Sequence, residues 1–204
     1  MNWRAAVVLG WALALGAAAA NAQNLARPVL LVAKPALKGA YAHTVLIAVP
    51  KGDQHVGLIL NRSTGQRMAS VFPDHAPSKQ VKEPIYFGGP EAADALFAVL
   101  RRDPGEASLH LFGDLYMTGN AGTIDAIIER TPNEARYFAG FVGWRPRELE
   151  AEVRRGFWYV DDADVSEVFR QDAGEAMWEE HSQRLGGPPR RQEAAAGQRR
   201  VTMR

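Results

Sequence analysis

The side chains able to do chemistry are scattered along this chain rather than gathered into a motif. The five histidines, His43, His55, His75, His110 and His181, show no H-x3-H or H-E-x-x-H spacing. A metal needs several donors within about 2 Å of one ion, and the order of residues does not assemble such a set. His181 follows Trp178 at helical spacing and reads as a packed or boundary side chain, whereas His43 and His110 are open to meeting a carboxylate in space. Asp161, Asp162 and Asp164 are the densest acidic group, but they lack the alternating donors, central Gly and terminal Glu of a calcium loop. Helix capping is the reading given to them. None of Ser63, Ser70, Ser78, Ser108, Ser166 and Ser182 lies in G-x-S-x-G, and Lys79 directly follows Ser78, the wrong spacing for S-x-x-K. Cysteine is absent, which removes thiolate zinc sites, iron–sulfur clusters, disulfides and a cysteine nucleophile. At this level no residue is assigned as catalytic, metal-binding or cofactor-binding.

Five positions are singled out for contact with a ligand or partner, each beside a structural alternative. Asn61 and Arg62 end an apolar run. The Asn can close a turn, and the Arg can grip a carboxylate in a fork. Gly88 and Gly89 precede Pro90 without the third Gly, Lys and Ser/Thr of a phosphate loop, so their structural reading is a tight turn with positive φ. Trp144, like Trp158 and Trp178, brings a large apolar area and one indole donor, suited to a core anchor or a stacking platform.

The elements that hold these residues follow from hydrophobic period. Val29–Ala33, Thr44–Val49 and Val56–Asn61 are short, β-branched apolar runs that predict strands, and the turn residues Pro50 to Asp53 join the last two as a hairpin. Ile85–Phe87 and Leu96–Leu100 are expected to pair, followed by Leu109–Phe112, Leu115–Met117 and the run Tyr137–Trp144. Ile124, Ile127 and Ile128 mark a helix stopping before Thr131-Pro132. Pro146 suits the first turn of another helix, with Leu149 and Val153 inward and Gly156 as its stop. Asp161 or Asp162 is expected to cap a helix carrying Val165, Val168 and Phe169, and Met177, Trp178, His181 and Leu185 stripe a last one. Strands first, with helices inserted and appended, is an α+β pattern in a single domain.

In order along the chain, Leu31-Val32-Ala33-Lys34-Pro35-Ala36-Leu37, Val56-Gly57-Leu58-Ile59-Leu60-Asn61-Arg62, Gly88-Gly89-Pro90, Phe141-Val142-Gly143-Trp144, Leu149-Glu150-Ala151-Glu152 and Gly156-Phe157-Trp158 resemble the signatures of the bacterial YqgE/AlgH family, also called UPF0301 or DUF179. The resemblance covers about residues 29 to 186. It implies an α+β fold with a branched mixed sheet, a partly barrel-like core and surrounding helices. It implies no established enzymatic activity, and some members have been named regulators of exopolysaccharide production.

The two ends differ from the middle. Residues 1–22 place Arg4 before the uncharged run Ala5–Ala20 and close on Ala20-Asn21-Ala22, the layout of a secretory signal cleaved between Ala22 and Gln23. That run of 16 residues is shorter than the roughly 20 needed to cross a bilayer. An uncleaved N-terminal membrane anchor is the alternative. Residues 23–185 form the domain, and 186–204 read as a flexible Arg-rich tail. The net charge is +1, from 24 basic and 23 acidic side chains. Setting aside Arg4, the five tail arginines and Glu193 leaves 18 basic against 22 acidic, a mildly acidic body. Nucleic acid is therefore not expected as a partner. The expectation is an exported, periplasmic, non-catalytic binding or regulatory module of the cell envelope, contacting a protein or small ligand and touching the membrane only through its signal. Two alternatives stand beside it. One is a hydrolase or transferase whose His and carboxylate come from distant segments. The other is a scaffold that docks on anionic envelope polymers through its tail. The sequence leaves the oligomeric state open.

Overall fold

A computed structural model describes residues 24–186 apart from Glu106 and Asp172. The expected signal segment 1–22 and all of the tail beyond Gly186 lie outside the described residues. Ten strands form one branched, mixed sheet: β1 Val29–Ala33, β2 Val45–Lys51, β3 Gln54–Ile59, β4 Ser63–Arg67, β5 Pro84–Phe87, β6 Glu91–Leu100, β7 Ser108–Phe112, β8 Leu115–Thr118, β9 Ala135–Trp144 and β10 Trp158–Asp162. Among the described residues five α-helices accompany them: α1 Met68–Val71, α2 Ala121–Arg130, α3 Glu148–Arg154, α4 Val165–Val168 and α5 Glu175–Gly186. The main path of the sheet runs β10-β1-β2-β3-β9-β6-β8-β7. It curls into a half-barrel, so that Leu30 of β1 and Leu111 of β7, far apart along that path, belong to the same buried cluster. The α+β class expected from the order of elements is thus present, together with the branched, partly barrel-like sheet and surrounding helices that the family resemblance implies.

Alternation distributes the apolar residues over both faces of this sheet. In β1, Leu30 and Val32 enter the inner cluster with Ile47, Leu58 and Phe138. Val29, Leu31 and Ala33 enter a second cluster with Trp144, Leu149 and Trp158. A strand buried on both faces reads as an unbroken apolar run, which is why β1 and β2 were visible in the sequence. A third cluster packs Ile124, Ile127 and Ile128 of α2 onto Ala98, Leu100 and Tyr137 of β6 and β9.

The branch lies at β9. Near its end it pairs with β3, His55 opposite Trp144, while nearer its start it pairs in parallel with β5, Tyr86 opposite Phe138. Gly88 splices the gap: its N–H donates to Ala139 O (2.8 Å) and its carbonyl accepts from Ile59 N–H (2.9 Å). A Cβ on Gly88 would stand 2.2 Å from Gly140 O, and one on Gly89 2.2 Å from Phe141 O. Close backbone approach therefore requires glycine at both positions, and at Gly89 the expected positive φ (156°) is present as well.

Several local expectations are corrected. Ile85–Phe87 and Leu96–Leu100 do not pair with each other; both pair with β9. Asp161 and Asp162 do not cap α4, because pairing with β1 keeps them in strand β10, with Val29 opposite Asp162. Asp164 is the cap, accepting from Ser166 N–H at 2.8 Å, and that bond holds its carboxyl below the usual range. Pro146 precedes α3 rather than opening it. Arg147 adopts a left-handed conformation (φ 65°), and Glu148 reaches back to accept from Arg145 N–H at 2.9 Å. The strand β4 was not anticipated, since all its residues are exposed and carry no apolar alternation.

Candidate functional site

The positions singled out from sequence lie within the fold's own hydrogen-bond network. Asn61 Oδ1 accepts from Val45 N–H (2.9 Å), while Nδ2 donates to the carbonyls of His43 (2.9 Å) and Gly174 (3.0 Å). Arg62 donates to Ala40 O (2.6 Å) and Ala42 O (3.3 Å). Trp144 Nε1 shares the Glu152 carboxylate with Trp158 Nε1, at 3.1 and 2.8 Å. Gly88 and Gly89 occupy the crossing over β9. Replacing Asn61 with alanine strands three backbone partners from two other segments, 43–45 and Gly174. It is expected to lower the unfolding free energy by about 2 kcal/mol in urea titration; a loss under about 0.5 kcal/mol would mean water replaces the amide.

The histidines meet different neighbours. His43 Nδ1 lies 2.6 Å from Glu175, and its ring stacks on Trp178 at 3.8 Å between centroids. His55 contacts Leu25 O at 2.8 Å, and His110 contacts Gly113 O at 2.9 Å. His181 is buried, as a packed side chain should be, with Nε2 3.2 Å from Glu167 and Nδ1 2.8 Å from Arg184 Nη2.

His75 faces a sizeable apolar cleft. The cleft holds about 530 Å³ and is lined by Phe72, Leu96, Ile124 and Ile128, with His75 and Asp125 as its polar members. Small residues, Ala95, Gly119, Ala121 and Gly122, leave the space open. Two blocks of chain build it. The first is α2, whose N-cap Asn120 accepts from Thr123 N–H at 3.0 Å and whose isoleucines are buried against the sheet. The second runs from α1 through a 3-10 turn, Ala76–Gln80. Met68, Val81 and Ile85 anchor this block in the same cluster as α2. Asn133 clamps the end of the turn to the chain beyond α2, accepting from Lys82 N–H at 2.9 Å and donating to Gln80 O at 3.1 Å. Among the described residues, Val71 and Phe72, each 41% exposed, are the large apolar side chains left at the surface, and they stand together at this cleft's edge.

Polar geometry at the mouth is specific. His75 Nδ1 lies 2.8 Å from Ser78 Oγ, and Nε2 lies 3.1 Å from Asp125 Oδ1 without hydrogen-bond alignment. Glu129, one helical turn beyond Asp125, brings a second carboxylate within 4.8 Å of the other two groups. This Ser–His–Asp order resembles a nucleophilic triad in composition, yet Ser78 is fully buried and its oxygen has no path to a substrate. In the sequence, the four-residue spacing of Asp125 and Glu129 on a helix was a usable signal. His75, 50 positions earlier by its number, carried none.

Comparison with known proteins agrees with this architecture. The chain is 30% identical over 164 residues to a UPF0301 protein of Chlorobium limicola, covering 78% of this chain and 86% of that one. It is 31% identical over 166 residues to a UPF0301 protein of Methylococcus capsulatus, covering 78% and 90%. The solution structure of the AlgH protein from Pseudomonas aeruginosa shares the fold, with a TM-score of 0.64 at 24% identity over 80% of this chain and 89% of that one. A crystal structure from Corynebacterium diphtheriae does likewise, with a TM-score of 0.62 at 23% identity, covering 80% and 88%. The AlgH-like family model, DUF179, matches residues 30–190, and the chain belongs to that family.

Proposed function

We propose that this AlgH-like protein is a non-catalytic binding module of the cell envelope whose α1–α2 cleft takes a small, largely apolar ligand. The observation that carries the reading is the cleft itself: about 530 Å³, apolar on most of its wall, with few polar groups at one side. Volume and lining of this kind suit small-molecule binding. The exposed Phe72 beside it presents an aromatic face that folding has not buried. Export to the periplasm rests on the signal pattern of residues 1–22. No helix among the described residues is long and apolar enough to cross a membrane. A hydrolytic reading has the contact of His75 with Ser78 and Asp125 in its favour, but burial of Ser78 weighs against it.

The test is titration of the neutral fluorophore N-phenyl-1-naphthylamine into wild type and Phe72→Asp. The full chain is used for both, so that any binding by residues 1–22 cancels in the comparison. One saturable site, weakened on the order of tenfold by the charge at position 72, is expected from losing the apolar contact and desolvating a carboxylate. Equal binding by the two proteins, or none by either, would sink the reading.

A further inference from the structure

We propose that His75, Asp125 and Glu129 form a binding site for one divalent first-row transition ion, of which Zn2+ is the representative. One nitrogen and two carboxylate oxygens lie within 4.8 Å of one another. Ligand bonds of about 2.1 Å place donor atoms roughly 3.4 Å apart in a tetrahedron and 4.2 Å apart across an octahedron, so a small closure completes the triangle. The backbone prepares it. Asp125 and Glu129 share one face of α2 by their four-residue spacing, and His75 comes from the start of the neighbouring 3-10 turn.

Three features point to a cation rather than to a simple surface pair. His75 Nε2 is shielded from solvent and lacks a hydrogen-bond partner, although Asp125 Oδ1 is 3.1 Å away. Its other nitrogen lies 2.8 Å from the oxygen of buried Ser78. A hydrogen bond from Nδ1–H to that oxygen leaves the Nε2 lone pair free and fixes the ring, as a residue behind a metal-bound imidazole does. Finally, like charges one helical turn apart repel, and a bound cation turns that repulsion into attraction. The imidazole donor favours Zn2+ and its neighbours over Mg2+ or Ca2+, and three protein ligands fall short of the six to eight oxygens that Ca2+ takes. With three protein ligands, coordination positions remain for water.

The experiment titrates Zn2+ and Ca2+ calorimetrically into the full, chelator-treated chain, and records Co2+ absorption in the visible range. One equivalent of Zn2+ is expected to bind, with no comparable Ca2+ binding, and Co2+ should give the intense bands of a low-coordinate site. Asp125→Asn and Glu129→Gln alter exposed side chains and should fold normally while weakening Zn2+ on the order of tenfold or more. Ser78→Ala should weaken it by a similar factor through loss of ring orientation. His43→Gln and His181→Gln should bind as wild type does. The proposal fails if no stoichiometric Zn2+ binds, if Asp125→Asn and Glu129→Gln bind undiminished, or if loss follows His43 or His181 instead. Its outcome does not depend on whether the cleft takes an apolar molecule.

Discussion

Arg136→Ala is expected to reduce the unfolding free energy by about 4 kcal/mol, as seen in urea titration, with a matching drop in the thermal midpoint. Arg136 lies on β9 and is 1% exposed, an unusual place for a guanidinium. The structure compensates it on every side. Nη1 donates to Val168 O (2.7 Å) and Nη2 to Arg170 O (3.0 Å), while Nε stands 3.1 Å from the Glu83 carboxylate. The Tyr86 ring lies 3.8 Å below the charged carbon. Glu83 in turn accepts from Gln171 Nε2 at 2.5 Å. One side chain therefore ties the segment after α4 to β9 and to the entry of β5. Truncation leaves two carbonyls short of a donor, a carboxylate short of a counter-charge and a cavity in the core. Arg136→Lys keeps the charge but cannot serve both carbonyls in a fork, so it should lose roughly half as much. A loss below about 1 kcal/mol for the alanine variant would show that water or a relaxed loop replaces the network.

Gly140→Ala should be nearly as damaging for a different reason. Gly140 has φ 69°, and an added Cβ would stand 2.4 Å from Gly89 O and 2.7 Å from Glu91 O, both rigid backbone atoms. Left-handed strain of about 1–2 kcal/mol adds to overpacking of about 1–3 kcal/mol, giving roughly 3 kcal/mol in all. For a domain of this size that shifts the thermal midpoint by about 6–12 °C. Gly52→Ala is the matched control. Its φ is 65°, but nothing lies within 4 Å of the new atom, so only the conformational strain remains. If both substitutions shift the midpoint equally, crowding at the β9 branch is not what requires glycine at 140.

These two sites show different limits of inference from sequence. A lone arginine before Tyr137 reads as a solvated charge, because its partners at Glu83, Val168 and Arg170 are 30 or more positions away. Gly88-Gly89 was legible as a place demanding glycine, and Gly89 has the expected positive φ, but a second demand was hidden. That demand comes from the β9 backbone, which only the folded chain brings within 2.2 Å. Local chemistry read more truly. The β2–β3 hairpin, the α2 stop at Thr131 and the inward stripe of α5 each depend on residues within a few positions of one another. Where a long-range pairing competed with a local signal, the pairing won. Asp161 and Asp162 have capping chemistry, yet β1 supplies them with strand partners, and the cap passes to Asp164.

The order of residues by itself determined the α+β class, the family, most strands and the apolar faces of the longer helices. Those properties follow from side-chain period and from turn chemistry, which act over short stretches of chain. Tertiary structure alone decided that β9 would carry three neighbours, that Asn61 would join three segments, and that His75 would meet Asp125 and Glu129 at the mouth of an apolar cleft. Such convergence is set by how the sheet curls and where α2 lands on it, through many weak packing contacts. No short spacing of residue types encodes it.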